Sequence, residues 1–381
     1  MSRINDSYTE TFDGYASMYK YHCDQNEQSK WISTDVKKLQ VSPLDKISPL
    51  YTNRTVFDSV VSDMAIEDTS ENLGLALKVG DQFYPLRDTA YKSLLDRAKI
   101  SGTALPKLSR NRLADTLNCC LMVHDKAQAL ILIRDEKVAA VHSGDKRDYS
   151  TLPIHELMAA LHETLEESFP GAIFKNGYCD HSIVCATFEL PEQADELLET
   201  YKKVLDSTGR SVLAKKLQPA IRFQTSDVGI STAKVSAFLS GYQTAISIGS
   251  MIGVEHRRES KVEDFKVELA RIYAQYQNYI EKLMKLTDID LDYPVNAMIA
   301  ACKKLALPKK AAVEAIHMFE VSWGNDRGSA HDVFLALQEI MYLLQADGFP
   351  ARKLFETEEK LAGSVSLKWS DFDTPKAVSY I

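Results

Sequence analysis

The sequence predicts an α+β fold: a central domain rich in β-β-α units on an antiparallel sheet, followed by a helical C-terminal domain. Two observations carry this. Gln128 to Leu165 reads as a hairpin and then a helix: Leu130 to Ile133 is an apolar, β-branched run, Asp135-Glu136 offers a turn, and Val138 to Val141 is a second run of similar length. Thr151 is then placed to cap a helix with Pro153 in its first turn and Ile154, Leu157, Met158, Leu161 and Leu165 on one face. The hairpin is expected to lay its apolar face on Leu157, Leu161 and Leu165. The second observation is that apolar spacing from Val262 onward is helical throughout.

Taken in order, the first 40 residues are polar but place Tyr8, Phe12, Tyr15 and Tyr19 at 4-3-4 spacing, one stripe of a helix that is expected to dock on the body or on a neighbouring subunit in preference to stacking on a ligand or nucleic acid. Ser42-Pro43 and Ser48-Pro49 break regular structure. Residues 1–70 are therefore expected to be an arm and connection, 71–260 the central α+β domain, 261–362 the helical domain and 363–381 an extended tail. Leu77 to Val79 and Gln82 to Leu86 straddle Gly80-Asp81, a hairpin signal, and Asp88 is placed to cap a helix carrying Ala90, Leu94, Leu95 and Ala98. Ser109 opens a second helix with Leu113, Leu117 and Leu121.

Ala172 to Tyr178 and Ile183 to Leu190 form another strand pair before an acidic helix near Glu192 to Leu205, so β-β-α recurs. Ile221 and Phe223 alternate with polar residues, Thr225-Ser226-Asp227 with Gly229 is turn chemistry, and Val235 to Leu239 and Thr244 to Ile252 read as further strands. Val262, Phe265, Leu269, Ile272, Tyr276, Tyr279, Leu283 and Leu286 keep 3-4 spacing, read as the buried stripe of one long helix in preference to an intersubunit seam. Asp292 and Pro294 open another helix, Pro308 interrupts, Ala311 to Val321 makes the next, and Ser329 with Asp332 forms a capping pair for the one through Leu344.

At 381 residues, 45% hydrophobic and 26% charged, the chain can bury a full core and is long enough for two domains. No apolar run reaches the roughly 20 residues that span a bilayer, and MSRINDSYTETFDGY lacks the basic start, apolar segment and cleavage signal of a secreted protein. A cytoplasmic protein without a membrane partner is expected. Six cysteines without repeated spacing, two of them adjacent, suit reduced thiols.

A net charge of −8 argues against general coating of nucleic acid, so any such surface must be a local patch. A candidate lies between Tyr91 and Arg112, where Lys92, Arg97, Lys99, Lys107, Arg110 and Arg112 stand against Asp96 alone; the alternative is a solvated helix face balanced by acidic neighbours in space. A milder one holds Arg222, Lys234, Arg257 and Arg258 against Asp227 and Glu255. The candidate nucleic-acid contacts are Lys92, Arg97, Lys99, Lys107, Arg110, Arg112, Arg222, Arg257 and Arg258, with Tyr91 as the nearest aromatic.

Chemistry motifs are mostly missing: there is no Gly-rich phosphate loop, His-Glu-x-x-His, Gly-x-Ser-x-Gly or Cys-x-x-Cys. The sequence asks for no cofactor. Cys179, His181 and Cys185 would share one strand face but match no zinc spacing, so structural thiols are the better reading. His142, Ser143 and Asp145 with His155 and Glu156 are the one set from which an acid-base site could be assembled. Histidines at strand ends are commonplace, so no catalytic residue is assigned and an enzyme is not the leading reading.

The run FYPLRDTAYKSLL, then LADTLN, then IRDEKVAAVHSGDKRDYSTLPIHELMAAL, and later FQTSDVGISTAKV followed by His256-Arg257, resembles the phage- and plasmid-encoded family called domain of unknown function 932, over about residues 73 to 260. Two departures stand out: Thr225 where an Asn precedes the Ser-acid-x-Gly turn, and no Cys-x-Asn-Gly element, with Ser247 to Ser250 near its place. The resemblance implies a mobile genetic element and a bacterial host cell, and brings no activity with it. With the basic stretch, it points to nucleic-acid binding in phage or plasmid DNA metabolism, as single-strand binding or annealing in recombination. The alternatives are a protein-binding inhibitor of a host defence system and, third, an enzyme of unassigned reaction. A homo-oligomer and a host defence protein are the other partners left open.

Overall fold

The computed structural model describes residues 2–123, 126–241, 245–249, 251–324 and 326–376. Its main element is a seven-stranded antiparallel sheet in the order Thr9–Phe12, Ile173–Asp180, Val184–Glu189, Gln218–Thr225, Ala233–Ser240 and Ile246–Ser247, with Ile252–Val254 also paired to Ala233–Ser240. Two three-stranded sheets accompany it: Lys30–Asp35 on the hairpin Gln128–Arg134/Lys137–Ser143, and Gln40–Pro43 on the hairpin Leu75–Val79/Gln82–Pro85. The fold is α+β, as its sequence pattern predicts. Among the described residues no helix is long and apolar enough to cross a membrane.

The hairpin turn lies at Asp135-Glu136, both at positive φ (48° and 66°), the two-residue geometry whose twist matches paired strands. The helix that covers it is not the expected one. Ala129, Ile131, Ile133, Val138 and Val141 pack with Leu94, Leu113 and Leu117 of helices Asp88–Arg97 and Arg110–Leu121. Leu157, Leu161 and Leu165, on helix Ile154–Ser168, enter the core of the seven-stranded sheet instead. A register shift between Leu132 and Ile133 leaves Ala139 without a cross-strand partner. Thr89 donates its hydroxyl to the Ala139 carbonyl (2.7 Å) and Ser93 Oγ accepts from Val141 N (2.8 Å), so helix Asp88–Arg97 closes the irregularity.

The N-terminal 70 residues are part of the body. Thr9–Phe12 is an edge strand on Ile173–Asp180, and Tyr15 and Tyr19 sit on helix Tyr15–Glu27, so the tyrosine-phenylalanine spacing divides between a strand and a helix. Lys30–Asp35 and Gln40–Pro43 each add a strand to a later hairpin. Thr151 caps nothing, because helix Ile154–Ser168 starts behind Pro153 with no side-chain cap.

The boundary expected at 260/261 does not separate two cores. One hydrophobic cluster runs from Phe12 through the seven-stranded sheet to Trp369. The long stripe breaks into helices Val262–Leu269 and Ile272–Lys285, and Phe265, Leu269, Ile272, Tyr276 and Leu283 are buried in this core, which removes the stripe as an intersubunit seam. Tyr276 reaches the registered pair Ala220 and Phe238: its hydroxyl donates to the Phe238 carbonyl (2.7 Å) and accepts from Ala220 N (3.1 Å). Ser329 and Asp332 make the expected capping box for helix Ala330–Ala346. The segment after Gly363 is not an extended arm as far as Lys376: it turns twice and buries Trp369 in the common core, and residues 377–381 lie outside the described residues.

Candidate functional site

Three of the strings that carried the resemblance converge in space. Trp31, Leu132 and Ala140 are register partners, and His142 is two residues beyond Ala140, so strand alternation puts Trp31 and His142 on one face. Four rings then form a continuous stack. Trp31 and His142 have centroids 5.9 Å apart, His142 and Tyr149 3.6 Å at an interplanar angle of 9°, and Tyr149 and His256 5.5 Å at 11°. Tyr149 is held there by a bridge to Arg257, and Ser150 N donates to the His256 carbonyl (3.1 Å).

The loop after strand Gln218–Thr225 fastens the stack. The Asp227 carbonyl accepts from the Tyr149 hydroxyl (3.0 Å) and faces His142 Nε2 (3.3 Å), which places the His142 proton on that nitrogen. Gly229 has φ 80°, and a Cβ there would lie 3.1 Å from His142 Cε1, so the close approach of loop to ring requires glycine. The Asp227 carboxylate pairs with Arg134. Burial opposes that carboxylate's charge, but the Arg134 guanidinium outweighs it and holds the group below the usual carboxylate range. Burial pushes His142 down to about 4 and lowers His256 as well, so both imidazoles are neutral at pH 7.

A cavity of about 320 Å³ is lined by three of the rings, His142, Tyr149 and His256, with Ser143, residues 229–232, and Asp96, Asp148, Glu255 and Arg257. Its carboxylates sit beside exposed cations: Lys126 on Asp148 (2.6 Å), Lys99 on Asp96 (4.0 Å) and Arg257 on Glu255 (4.0 Å), with Arg147 on neighbouring Asp145 (3.0 Å). Such a site accepts and donates hydrogen bonds to a polar planar group. The hydroxyls of Ser143, Ser231 and Thr232 line it with the two imidazoles, whereas the Thr225 hydroxyl, 3.5 Å from His256 Nε2, is fully buried. Thr225 is also the position that departs from the resemblance.

The candidate cations divide into three groups. Arg97 is buried and donates to the Lys126 carbonyl (2.7 Å), which removes it from the surface, and Arg222 is part-buried, paired with the buried Glu358 and laid over the Phe238 ring, so its charge is already engaged. Lys99, Arg257 and Arg258 lie at or beside the ring cavity. Lys92 pairs with Asp88 (2.8 Å), Arg110 donates to the Asn72 carbonyl (2.8 Å), and Lys107 and Arg112 are exposed near it. Tyr91 and Arg110 line a second cavity beside Asp88, at the other end of helix Asp88–Arg97, roughly 15 Å away at 1.5 Å per residue.

The other groupings do not form. Tyr178 pairs with Cys185 and Cys179 with Val184, so the two thiols point to opposite faces of the sheet. Among the described residues no three His, Cys, Asp or Glu side chains stand in metal-binding array. His142 and His256 stack on the two sides of Tyr149, and His155 lies near Tyr19 instead. Neither Trp31 nor Tyr149 stands out in the sequence as a site residue. Tyr149 sits within a string of the resemblance, and Trp31 carries no sequence signal. A scan of protein-family models, a search of curated proteins and a search of solved structures each return no match.

Proposed function

We propose that this is a single-strand nucleic-acid-binding protein of phage or plasmid DNA metabolism, with the ring cavity taking a base and the surrounding cations taking phosphates. One observation supports the reading: a cavity lined by His142, Tyr149, His256 and Arg257 has two of its carboxylates, Asp96 and Asp148, paired with Lys99 and Lys126 from separate segments, and Arg147 pairs with Asp145 close by in sequence. The cavity is small-ligand sized, too confined for a duplex. Its carboxylates and neutral imidazoles match the N–H and C=O groups of a base edge, and the acid-rich lining disfavours a phosphate inside it. At the rim the cations pair with part-exposed or exposed carboxylates, and such ion pairs are worth about 0–1 kcal/mol, so exchange for a phosphate costs little.

The test is an oligonucleotide-binding series in rising salt. Each phosphate contact carries about 0.7 units of log–log slope on a single strand. Reversing Arg257 and Arg258 to Glu should weaken binding to all sequences alike and flatten that slope, whereas reversing Lys107 and Arg112 should do neither. No binding at low salt, or a slope untouched by the Arg257/Arg258 reversal, overturns the reading and favours a protein partner.

A further inference from the structure

Helix Asp88–Arg97 has no cap of its own: Arg87 precedes it, and Asp88 makes no capping bond. The cap comes from 82 residues away, where Asp6 Oδ2 accepts from Asp88 N (3.3 Å). Asp6 Oδ1 accepts from Arg87 Nη1 (3.4 Å) and Lys137 Nζ (3.1 Å). Both cationic side chains are essentially fully buried, at 1% and 0% exposure. A helix N-terminus, a guanidinium and an ammonium thus converge on one carboxylate.

Asp6 does not exhaust this cradle. All three contacts are at the long end of the hydrogen-bond range, and Arg87 Nε is buried with no hydrogen-bond partner among the described residues. Arg87 Nη2 is occupied by the Arg3 carbonyl (3.3 Å), which belongs to the same segment. Ahead of Tyr8 that segment is fastened by polar and cation–ring contacts: Asn5 O accepts from His181 Nε2 (2.8 Å), and Arg3 pairs with Asp135 (3.8 Å) and lies over the Tyr21 ring (5.6 Å); Tyr8, buried against His181, is the aromatic anchor that release must undo. Departure of the segment would free both Nη groups of Arg87 together with Asp88 N, while Asp68 stays on Lys137. A cavity of about 680 Å³, walled by Asp6, Glu71, Asp88, Tyr91 and Arg110, opens on Asp6, and Arg87 and Lys137 are not part of its lining, so they meet it only once Asp6 leaves.

We infer that Arg87, Lys137 and the Asp88 N–H form an anion site for a phosphate group, that Asp6 fills it as an internal stand-in, and that a phosphate-bearing ligand displaces segment 2–8 to enter. Arg87 then offers its fork to two oxygens, Asp88 N and Lys137 to the others, and the 680 Å³ cavity takes the rest of the ligand. The inference is independent of the single-strand reading, whose cavity lies at the opposite end of the helix.

The experiment uses the full chain and inorganic phosphate. Asp6→Ala should bind phosphate at one site, at least tenfold tighter than wild type, with a rise in Tm on the order of 5 °C at 100-fold excess over Kd. Chloride at matched ionic strength should not reproduce it. Adding Arg87→Lys, which keeps charge and loses the fork, should remove most of the gain. A phosphate response in Asp6→Ala no larger than in wild type, or one that survives Arg87→Lys, overturns the site. Should Asp6→Ala fail to fold, amide exchange in wild type decides: Ser2 to Tyr8 should exchange faster with phosphate, and unchanged exchange refutes displacement. A parallel arm with a short oligonucleotide tells a free phosphate from a nucleic-acid one, since only the nucleic-acid source gives release at low ligand concentration.

Discussion

Replacing Arg134 by Met tests what holds the ring stack. Arg134 lies in the hairpin and Asp227 in the loop whose carbonyl fixes His142 and Tyr149, and the two side chains are 11% and 13% exposed. The variant keeps most of the side chain's apolar volume and strands the Asp227 carboxylate. Breaking a buried pair from one side costs about 3–5 kcal/mol, because the remaining charge has lost its partner.

The pH dependence has a definite sign. In the wild type Asp227 is held below its unfolded value, so its contribution is present above about pH 4, the unfolded carboxylate range, and is lost as pH falls through the depressed folded value. In the variant burial, the largest influence on Asp227, is no longer outweighed by Arg134, so protonation is favoured in the folded state and the penalty develops as pH rises above the unfolded value. Both effects make the stability difference largest at neutral pH and smaller as pH falls toward about 4. Denaturant titrations of the two proteins at pH 7 and pH 5 measure it. A loss below about 1 kcal/mol at pH 7, or a difference that grows on acidification, would refute the reasoning. Adding Asp227→Asn to the variant should recover part of the loss, since the stranded charge is gone.

Leu161→Ala should cost about 2–5 kcal/mol in a denaturant titration, because Leu161 is buried in the sheet core although it does not touch the hairpin; a change under about 0.5 kcal/mol would mean the site is not packed. Tyr276→Phe strips the hydroxyl between Ala220 N and the Phe238 carbonyl and should cost about 1–3 kcal/mol, with faster amide exchange at Ala220 as its local signature.

What the chain determines by itself is local. The hairpins at Gly80-Asp81 and Asp135-Glu136 and the pair Ile173–Asp180/Val184–Glu189 were legible because period-two apolar runs and turn chemistry act between neighbours in sequence. The Ser329/Asp332 capping box was legible for the same reason. The basic segment was legible as composition, and its fate was not: Lys99 and Arg97 are two residues apart, yet one is exposed and the other buried, since a long aliphatic stem lets a cation lie on either side of a helix face.

The tertiary structure decided the rest where local preference was degenerate. A hairpin apolar on both faces accepts whichever helix reaches it, and the preceding helix Asp88–Arg97 does so by supplying Thr89 and Ser93 to an irregular strand. Tyr8 to Tyr19 fits a helical period, but the open edge of Ile173–Asp180 offers main-chain hydrogen bonds that draw Thr9–Phe12 into a strand. The ring stack and the Asp6 cradle join residues 31 with 256 and 6 with 137, and no periodicity reports such pairs. They form because rings and charges removed from water must find partners within the fold, and only the folded chain brings those partners within reach.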